Sequence, residues 1–160
     1  MKCKIKITTI QAEYKGKSIF ERAASELLIS ESFSDYYDDD KIETLVYGEI
    51  LTQGEEFSVK YEENGEGMLG VKTELKFNIN NPSQVSLVRT GEIDSFMSFE
   101  EGKRHICVYN TGIMPFEICI YSKSIDNRLL SDGIIEINYL VEIKGACAQK
   151  TIFKMEVEKL

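Results

Sequence analysis

Arg89 is the residue of this chain with the clearest capacity for chemistry, because it falls on a strand face that should be apolar. In the segment 84–91, strand alternation places Val85, Leu87 and Arg89 on one side. A face that carries valine and leucine is normally buried, and an ionised guanidinium there costs several kcal/mol unless it is paired and hydrogen-bonded. Arg89 therefore either stabilises the fold from inside or binds an anionic group.

Glu63 is the carboxylate that alternation makes available to Arg89. Phe57, Val59, Tyr61 and Glu63 share one face if the strand pattern of this segment continues. A Glu63–Arg89 pair inside a barrel is structural more often than not, whereas an unpaired Arg89 would be open to a ligand. The candidate ligand-binding residues are the polar side chains predicted to point inward, namely Arg89, Glu63, Tyr61, Thr73, His105, Tyr109, Thr111 and Tyr139.

His105 is the single histidine of the chain, which excludes a three-histidine metal site. It could serve as a general base, and it shares its alternation phase with Cys107 and Tyr109. Side chains two residues apart on a strand are separated by about 6–7 Å, so a Cys–His dyad is not expected. We interpret His105 as a packed or surface histidine, and we predict no catalytic residue, metal ligand or cofactor.

A glycine-rich segment, residues 65–70, satisfies the expression G-x-G-x-x-G literally. That fingerprint binds a dinucleotide only when a strand precedes it and a helix follows it. Here the residues from Val71 onward alternate strictly between apolar and polar, which predicts a strand. We therefore interpret the glycines as turn residues.

The elements that must position these side chains are predicted to be β-strands almost throughout. Three alternating stripes are clearest, and each faces polar residues across the pleat, which is typical of antiparallel strands with one wet side. They run along residues 71–79, 135–143 and 151–157. Turn signals separate eight to ten strands, so the sequence predicts an all-β fold, either a barrel or a sandwich. We expect one domain spanning residues 1–160.

One segment departs from the strand pattern. Ser18 and Glu21 have the spacing of a helix capping box, and Ala23, Ala24 and Leu27 follow at helical spacing, which predicts a short helix over 19–29. The acidic residues 31–40 that follow are most simply a solvated loop, and a weak cation site is the alternative. They lack the ligand spacing of a calcium loop.

Composition and charge restrict the partners. The formal net charge is −8, and no cluster of Lys and Arg is present to neutralise phosphates, so we expect neither nucleic-acid binding nor docking on an anionic membrane. Four widely spaced cysteines and an N-terminus without a continuous apolar run favour reduced thiols and a cytoplasmic location.

The block from Tyr61 to Thr111 resembles the YwiB-like family, a bacterial group of unknown function assigned to calycin-like β-barrels. The residues that carry the resemblance are Tyr61, Glu62, Glu63, Gly67, Met68, Gly70, Thr73, Leu75, Arg89, Gly91, Phe99, Glu100, Gly102, Lys103, His105, Tyr109 and Thr111, with weaker similarity at Ser122 and Tyr139. The resemblance implies an up-and-down, lipocalin-like barrel of eight or more antiparallel strands, and it implies no activity. Residues 16–40 look like an insertion between the first two strands of that pattern.

The sequence leaves two functions open. The first is a non-enzymatic barrel that binds a small, anionic molecule at Arg89, because small barrels hold one ligand in their interior. The alternative is a solid-cored structural or interaction module that acts through its surface, through the inserted helix or through a homodimer edge. An enzyme ranks third, since no set of nucleophile, base and orienting group can be assembled.

Overall fold

The computed structural model describes residues 1–14, 38–110, 115–143 and 146–160, and it folds into a closed antiparallel β-barrel. The ten strands within these residues are β1 (Lys2–Glu13), β2 (Asp40–Gln53), β3 (Glu56–Glu62), β4 (Lys72–Asn78), β5 (Asn81–Thr90), β6 (Asp94–Glu100), β7 (Arg104–Asn110), β8 (Pro115–Arg128), β9 (Ile134–Ile143) and β10 (Ala146–Lys159). The prediction of an all-β barrel with eight to ten strands is therefore confirmed.

Every strand pairs with the next along the chain, and β10 returns to pair with β1. Apart from the long segment between β1 and β2, the connections are short, as is usual between antiparallel neighbours. Two residues, Gly54 and Glu55, join β2 to β3, and Gly54 adopts the positive φ of 60° that such a turn requires. The residues 65–70 also lie in a connection, between β3 and β4, which confirms their interpretation as turn residues.

The core follows from the alternation of apolar side chains. Leu75, Phe77, Ile135, Ile137 and Met155 are buried, as the sequence stripes predict. They meet apolar side chains from the other strands inside the barrel, where burial removes them from water. Among the aromatic contacts, the rings of Phe57 and Phe77 lie 5.2 Å apart.

A glycine allows β2 and β3 to approach closely. Gly48 pairs with Cys3 on β1 and with Tyr61 on β3. A Cβ atom at position 48 would collide with the carbonyl oxygen of Lys60 and would lie 2.7 Å from Cδ1 of Ile5. Only glycine therefore fits this position without a movement of the backbone.

The pairing of β6 with β7 is unusually short. Both strands lie wholly within the described residues, and their register consists of two pairs, Asp94 with Asn110 and Ser95 with Tyr109. By contrast, β1 and β10 pair over their length from Cys3 to Glu13. The barrel wall is therefore least regular between β6 and β7.

The predicted helix over 19–29, and most of the acidic stretch 31–40, fall within residues 15–37, which lie outside the described residues. These residues lie in the chain between β1, which ends at Glu13, and β2, which begins at Asp40. No helix long and apolar enough to cross a bilayer occurs in the described part of the chain.

Candidate functional site

A continuous row of polar side chains crosses five neighbouring strands of the barrel. Tyr61 pairs with Thr73, Thr73 with Arg89, Arg89 with Ser95, and Ser95 with Tyr109. Directly opposed residues on antiparallel strands point to the same side of the sheet, so these five side chains lie on one level of the inner wall. The register thus joins residues that are almost fifty positions apart in the chain.

The interior of the barrel holds a cavity of about 440 Å³ at this level. Its polar lining residues are Thr9, Gln11, Thr44, Tyr61, Glu63, Arg89, Tyr109, Tyr139 and Gln149. Its apolar walls are formed by Ile7, Met68, Leu75, Leu87, Met97, Phe99, Ile118, Ile137, Val141, Ile143 and Phe153. The interior therefore combines a polar region around Arg89 with a larger apolar surface.

Arg89 and Glu63 form the charged centre of the site. Arg89 Nε lies 3.6 Å from Glu63 Oε1, and both side chains are largely buried, with 18% and 13% of their surfaces exposed. Thr73 Oγ1 donates a hydrogen bond of 2.7 Å to the same carboxylate oxygen, so Thr73 fixes Glu63 in this position. The Glu63–Arg89 pairing anticipated from alternation is present in the structure.

The guanidinium of Arg89 is incompletely hydrogen-bonded within the described residues. Its Nε atom is buried without a hydrogen-bond partner, and Nη1 makes a long contact of 3.7 Å with Met97 Sδ. Ser95, the neighbour of Arg89 in the polar row, also has a buried Oγ atom without a partner. Arg89 Nε–H can therefore still donate a hydrogen bond, and the neighbouring Ser95 hydroxyl can still donate or accept one.

Tyr139 lies among further polar groups on the inner wall. It pairs with Ser122 on β8 and with Thr151 on β10, and the hydroxyl oxygens of both are buried without a hydrogen bond of good geometry. Burial raises the pKa of Tyr139, and the charge of Arg89 opposes this rise. The positive charge of Arg89 therefore favours the ionised form of the Tyr139 phenol, whereas burial favours its neutral form.

Tyr61 is held in its neutral form. Burial raises the pKa of its phenol, and the negative charge of Glu63 raises it further, while Arg89 acts in the opposite direction. Tyr61 is therefore a neutral hydroxyl at physiological pH and can donate or accept a hydrogen bond, but it cannot act as a phenolate base.

The structure places most of the sequence-predicted residues together and places His105 apart from them. Arg89, Glu63, Tyr61, Tyr109 and Tyr139 line the cavity, and Thr73 supports Glu63 from the same row. His105 is not among the lining residues, and its Nε2 atom lies 3.6 Å from Glu100 Oε2. Thr111 lies outside the described residues.

Cys107, which shares its alternation phase with His105, has a buried thiol. The thiol of Cys107 contacts the backbone carbonyl of His105 at 3.7 Å, and burial raises its pKa. The thiol is therefore less ionised than an exposed cysteine at neutral pH, which weakens it as a nucleophile. Cys3, Cys107 and Cys119 are free thiols.

The candidate residues predicted from the sequence omitted Ser95, Met97 and Ser122, and they omitted Thr151 although the stripe along 151–157 had marked that residue as inward. They also omitted four polar residues that line the cavity, namely Thr9, Gln11, Thr44 and Gln149. Alternation could have found Ser95 and Met97, because they share a phase with the buried Phe99. Ser122 was harder to assign, because a register shift between Ser122 and Ser124 interrupts the alternation of β8.

A second charged cluster lies on β7, β8 and β9, outside the set of cavity-lining residues. Arg104 Nε donates hydrogen bonds of 3.1 and 3.3 Å to the two carboxylate oxygens of Glu142, whose side chain is only 4% exposed. The guanidinium of Arg104 also stacks on the ring of Tyr121 at 4.6 Å. Burial, and then the negative charge of Glu142, raise the pKa of the neighbouring Cys119 to about 11.

Comparison with known proteins places the chain in a family. Residues 28–155 match the family described as "Domain of unknown function (DUF1934)". The chain belongs to this family. No match was found among curated proteins. Membership of the DUF1934 family agrees with the resemblance identified in the sequence, as does the barrel fold. The family description assigns no activity.

A solved structure with the same fold is described as the crystal structure of the ywiB protein from Bacillus subtilis. It is 18% identical in sequence, with a TM-score of 0.66, and the alignment covers 99% of this chain and 94% of that one. The two proteins therefore share a fold over nearly their whole lengths, which confirms the predicted similarity to the YwiB-like group. At this level of identity, the likeness extends to the fold alone.

Proposed function

We propose that this protein is a non-enzymatic barrel that binds one small molecule in its interior. The observation that carries the proposal is the buried Nε atom of Arg89, which lacks a hydrogen-bond partner among the described residues and belongs to a side chain lining a cavity of about 440 Å³. Ligand pockets typically enclose roughly 300–1,000 Å³ and combine apolar walls with a few polar groups.

The energetics of buried polar groups support this proposal. A buried donor without a partner costs about 1–3 kcal/mol, and more when it is charged. Arg89 Nε and Ser95 Oγ are two such atoms on neighbouring strands. A ligand that accepts hydrogen bonds from these groups would remove this penalty.

The shape of the cavity suggests how a ligand would lie. Its polar end would approach Arg89 and Glu63, and its apolar part would cover side chains such as Leu87, Met97 and Phe153. Tyr109 and Tyr139 also line the cavity and would contact the ligand. This arrangement binds and orients a molecule, and it contains no nucleophile with an adjacent base.

Native mass spectrometry of the gently purified protein tests the proposal. We expect a bound species of constant mass in the wild-type protein, and its loss in Arg89→Met. Arg128→Met is the matched control, because Arg128 pairs with Asp126 and Asp132 outside the cavity. Repeated absence of any bound species from the wild-type protein, together with no binding from a small-molecule library, would refute the proposal.

A second candidate function is that of an interaction module that acts through its outer surface and forms a homodimer, and one observation favours it. Phe96 on β6, and Ile106 and Val108 on β7, are 53%, 73% and 51% exposed, and alternation places them on the outer side of these two strands. An exposed apolar patch of this kind is a common feature of protein interfaces. Sedimentation of the wild-type protein and of Ile106→Lys tests this alternative, which a monomeric wild-type protein at micromolar concentration would exclude.

A further inference from the structure

The charge balance of the cavity restricts the class of ligand. Arg89 is accompanied by Glu63, whose Oε1 atom lies 3.6 Å from its Nε, so the two side chains together carry no net charge. Resting on the proposed function, we infer that the site selects a neutral molecule with an adjacent hydrogen-bond acceptor and donor, such as an amide, a lactam or a urea. This inference replaces the anionic ligand that Arg89 suggested when it was considered alone.

The two charged side chains offer complementary hydrogen-bonding groups to one ligand. Both line the same cavity, where the guanidinium provides donors and the ionised carboxylate provides acceptors. The carbonyl oxygen of an amide accepts a hydrogen bond from Arg89, while its N–H group donates one to Glu63. An amide edge therefore satisfies both partners at once, and each of these bonds involves a charged group, which makes it stronger than a bond between neutral groups.

An anionic ligand meets an unfavourable arrangement in the same place. Thr73 Oγ1 holds Glu63 with a hydrogen bond of 2.7 Å, so the carboxylate is anchored beside Arg89. The carboxylate of a ligand at Arg89 would lie close to the Glu63 carboxylate in a largely buried site. Otherwise it would have to displace Glu63 from Arg89 and Thr73. Like charges at short distance in a region of low dielectric disfavour ionisation and binding.

The experiment compares two probes of matched shape, 2-naphthamide and 2-naphthoate, by fluorescence titration of the full-length protein. We expect the wild-type protein to bind the amide at least about tenfold more tightly, a difference that one charge-assisted hydrogen bond can supply. In Glu63→Gln the carboxylate probe should gain at least about tenfold in affinity, because it replaces the missing negative charge beside Arg89.

Glu62→Gln is the matched control, since Glu62 is the exposed neighbour of Glu63 and is not among the residues that line the interior cavity. It removes the same charge and should leave the ratio of the two affinities unchanged. The ratio in the wild-type protein also tests the inference without any variant, in case Glu63→Gln does not fold.

The outcomes separate this inference from the proposed function. Equal affinities, or tighter binding of 2-naphthoate by the wild-type protein, would overturn the inferred ligand class while leaving a ligand-binding barrel in place. A Glu63→Gln protein that folds and keeps the wild-type ratio would overturn it as well. If neither probe binds and native mass spectrometry detects no ligand, the proposed function and this inference both fail.

Discussion

Arg89 and Glu63 face each other inside the barrel at 3.6 Å, yet Arg89 Nε has no hydrogen bond of good geometry within the described residues. The carboxylate is better satisfied than the guanidinium, because Thr73 donates a bond of 2.7 Å to it. This asymmetry has measurable consequences for stability, which can be tested independently of any ligand.

A double-mutant cycle should detect the coupling between Arg89 and Glu63. We expect Arg89→Met to lower the free energy of unfolding by about 1–3 kcal/mol, because it leaves a largely buried carboxylate without its cation. In the double variant Arg89→Met/Glu63→Gln, part of this loss should be recovered, with a coupling energy of about 1 kcal/mol or more. Urea unfolding of the four proteins measures these values, and strictly additive effects would contradict the coupling.

Thr73 should contribute to stability through its hydroxyl group. We expect Thr73→Val to lower the free energy of unfolding by about 1–2 kcal/mol, because it removes the hydrogen bond to Glu63 while conserving the shape of the side chain. Thr52→Val on the exposed part of β2 is the control and should change the stability by less than about 0.5 kcal/mol. Equal effects of the two substitutions in urea unfolding would show that the hydrogen bond contributes nothing.

Gly48 should not tolerate a side chain. Gly48→Ala would force a Cβ atom against the backbone of Lys60 and the side chain of Ile5, and such overpacking typically costs about 1–3 kcal/mol. Gly65→Ala is the control, because a Cβ atom at position 65 would have no neighbour within 4 Å. The denaturation midpoint of Gly48→Ala should fall clearly below that of the control, and identical midpoints would show that β2 and β3 can separate without cost.

The alkaline stability of the protein should depend on Cys119. Burial and the negative charge of Glu142 raise the pKa of this thiol from its usual value of 9.0 to about 11. Between these pH values the unfolded chain has lost the proton that the folded protein retains, so the free energy of unfolding falls as the pH rises. Below pH 9 both states are protonated and this effect is absent.

Urea unfolding between pH 8 and pH 11 measures the contribution of Cys119. Tyr61 and Tyr139 also have raised pKa values and add to the alkaline loss in every variant. Burial also raises the pKa of Cys3 and of Cys107, and both thiols remain in the variant. Cys119→Ala should therefore lose less stability than the wild-type protein over this range, while Thr52→Val, which removes no titratable group, should follow the wild-type profile. Parallel pH profiles for the wild-type protein and Cys119→Ala would refute the assignment.

The sequence by itself determined the all-β character of the fold and, for its clearest strands, the side that is buried. Alternation in residues 71–79 and 135–143 predicts buried faces because a strand in a barrel wall has one side in the core, and only apolar side chains are removed from water without penalty. The same rule marked Arg89 and Glu63 as inward, since both continue an apolar face. Local periodicity was sufficient for these conclusions because it reports each strand separately.

Only the tertiary structure decided which inward side chains meet. Register between strands depends on turn lengths, on register shifts such as the one after Ser122, and on close approaches such as the one at Gly48. These long-range relationships align Arg89 with Ser95 and Tyr109, and they leave a cavity beside them. Alternation shows which side chains share one face of a strand, but it carries no information about the register between neighbouring strands. The row of polar side chains could therefore be identified only from the pairing of strands in the closed barrel.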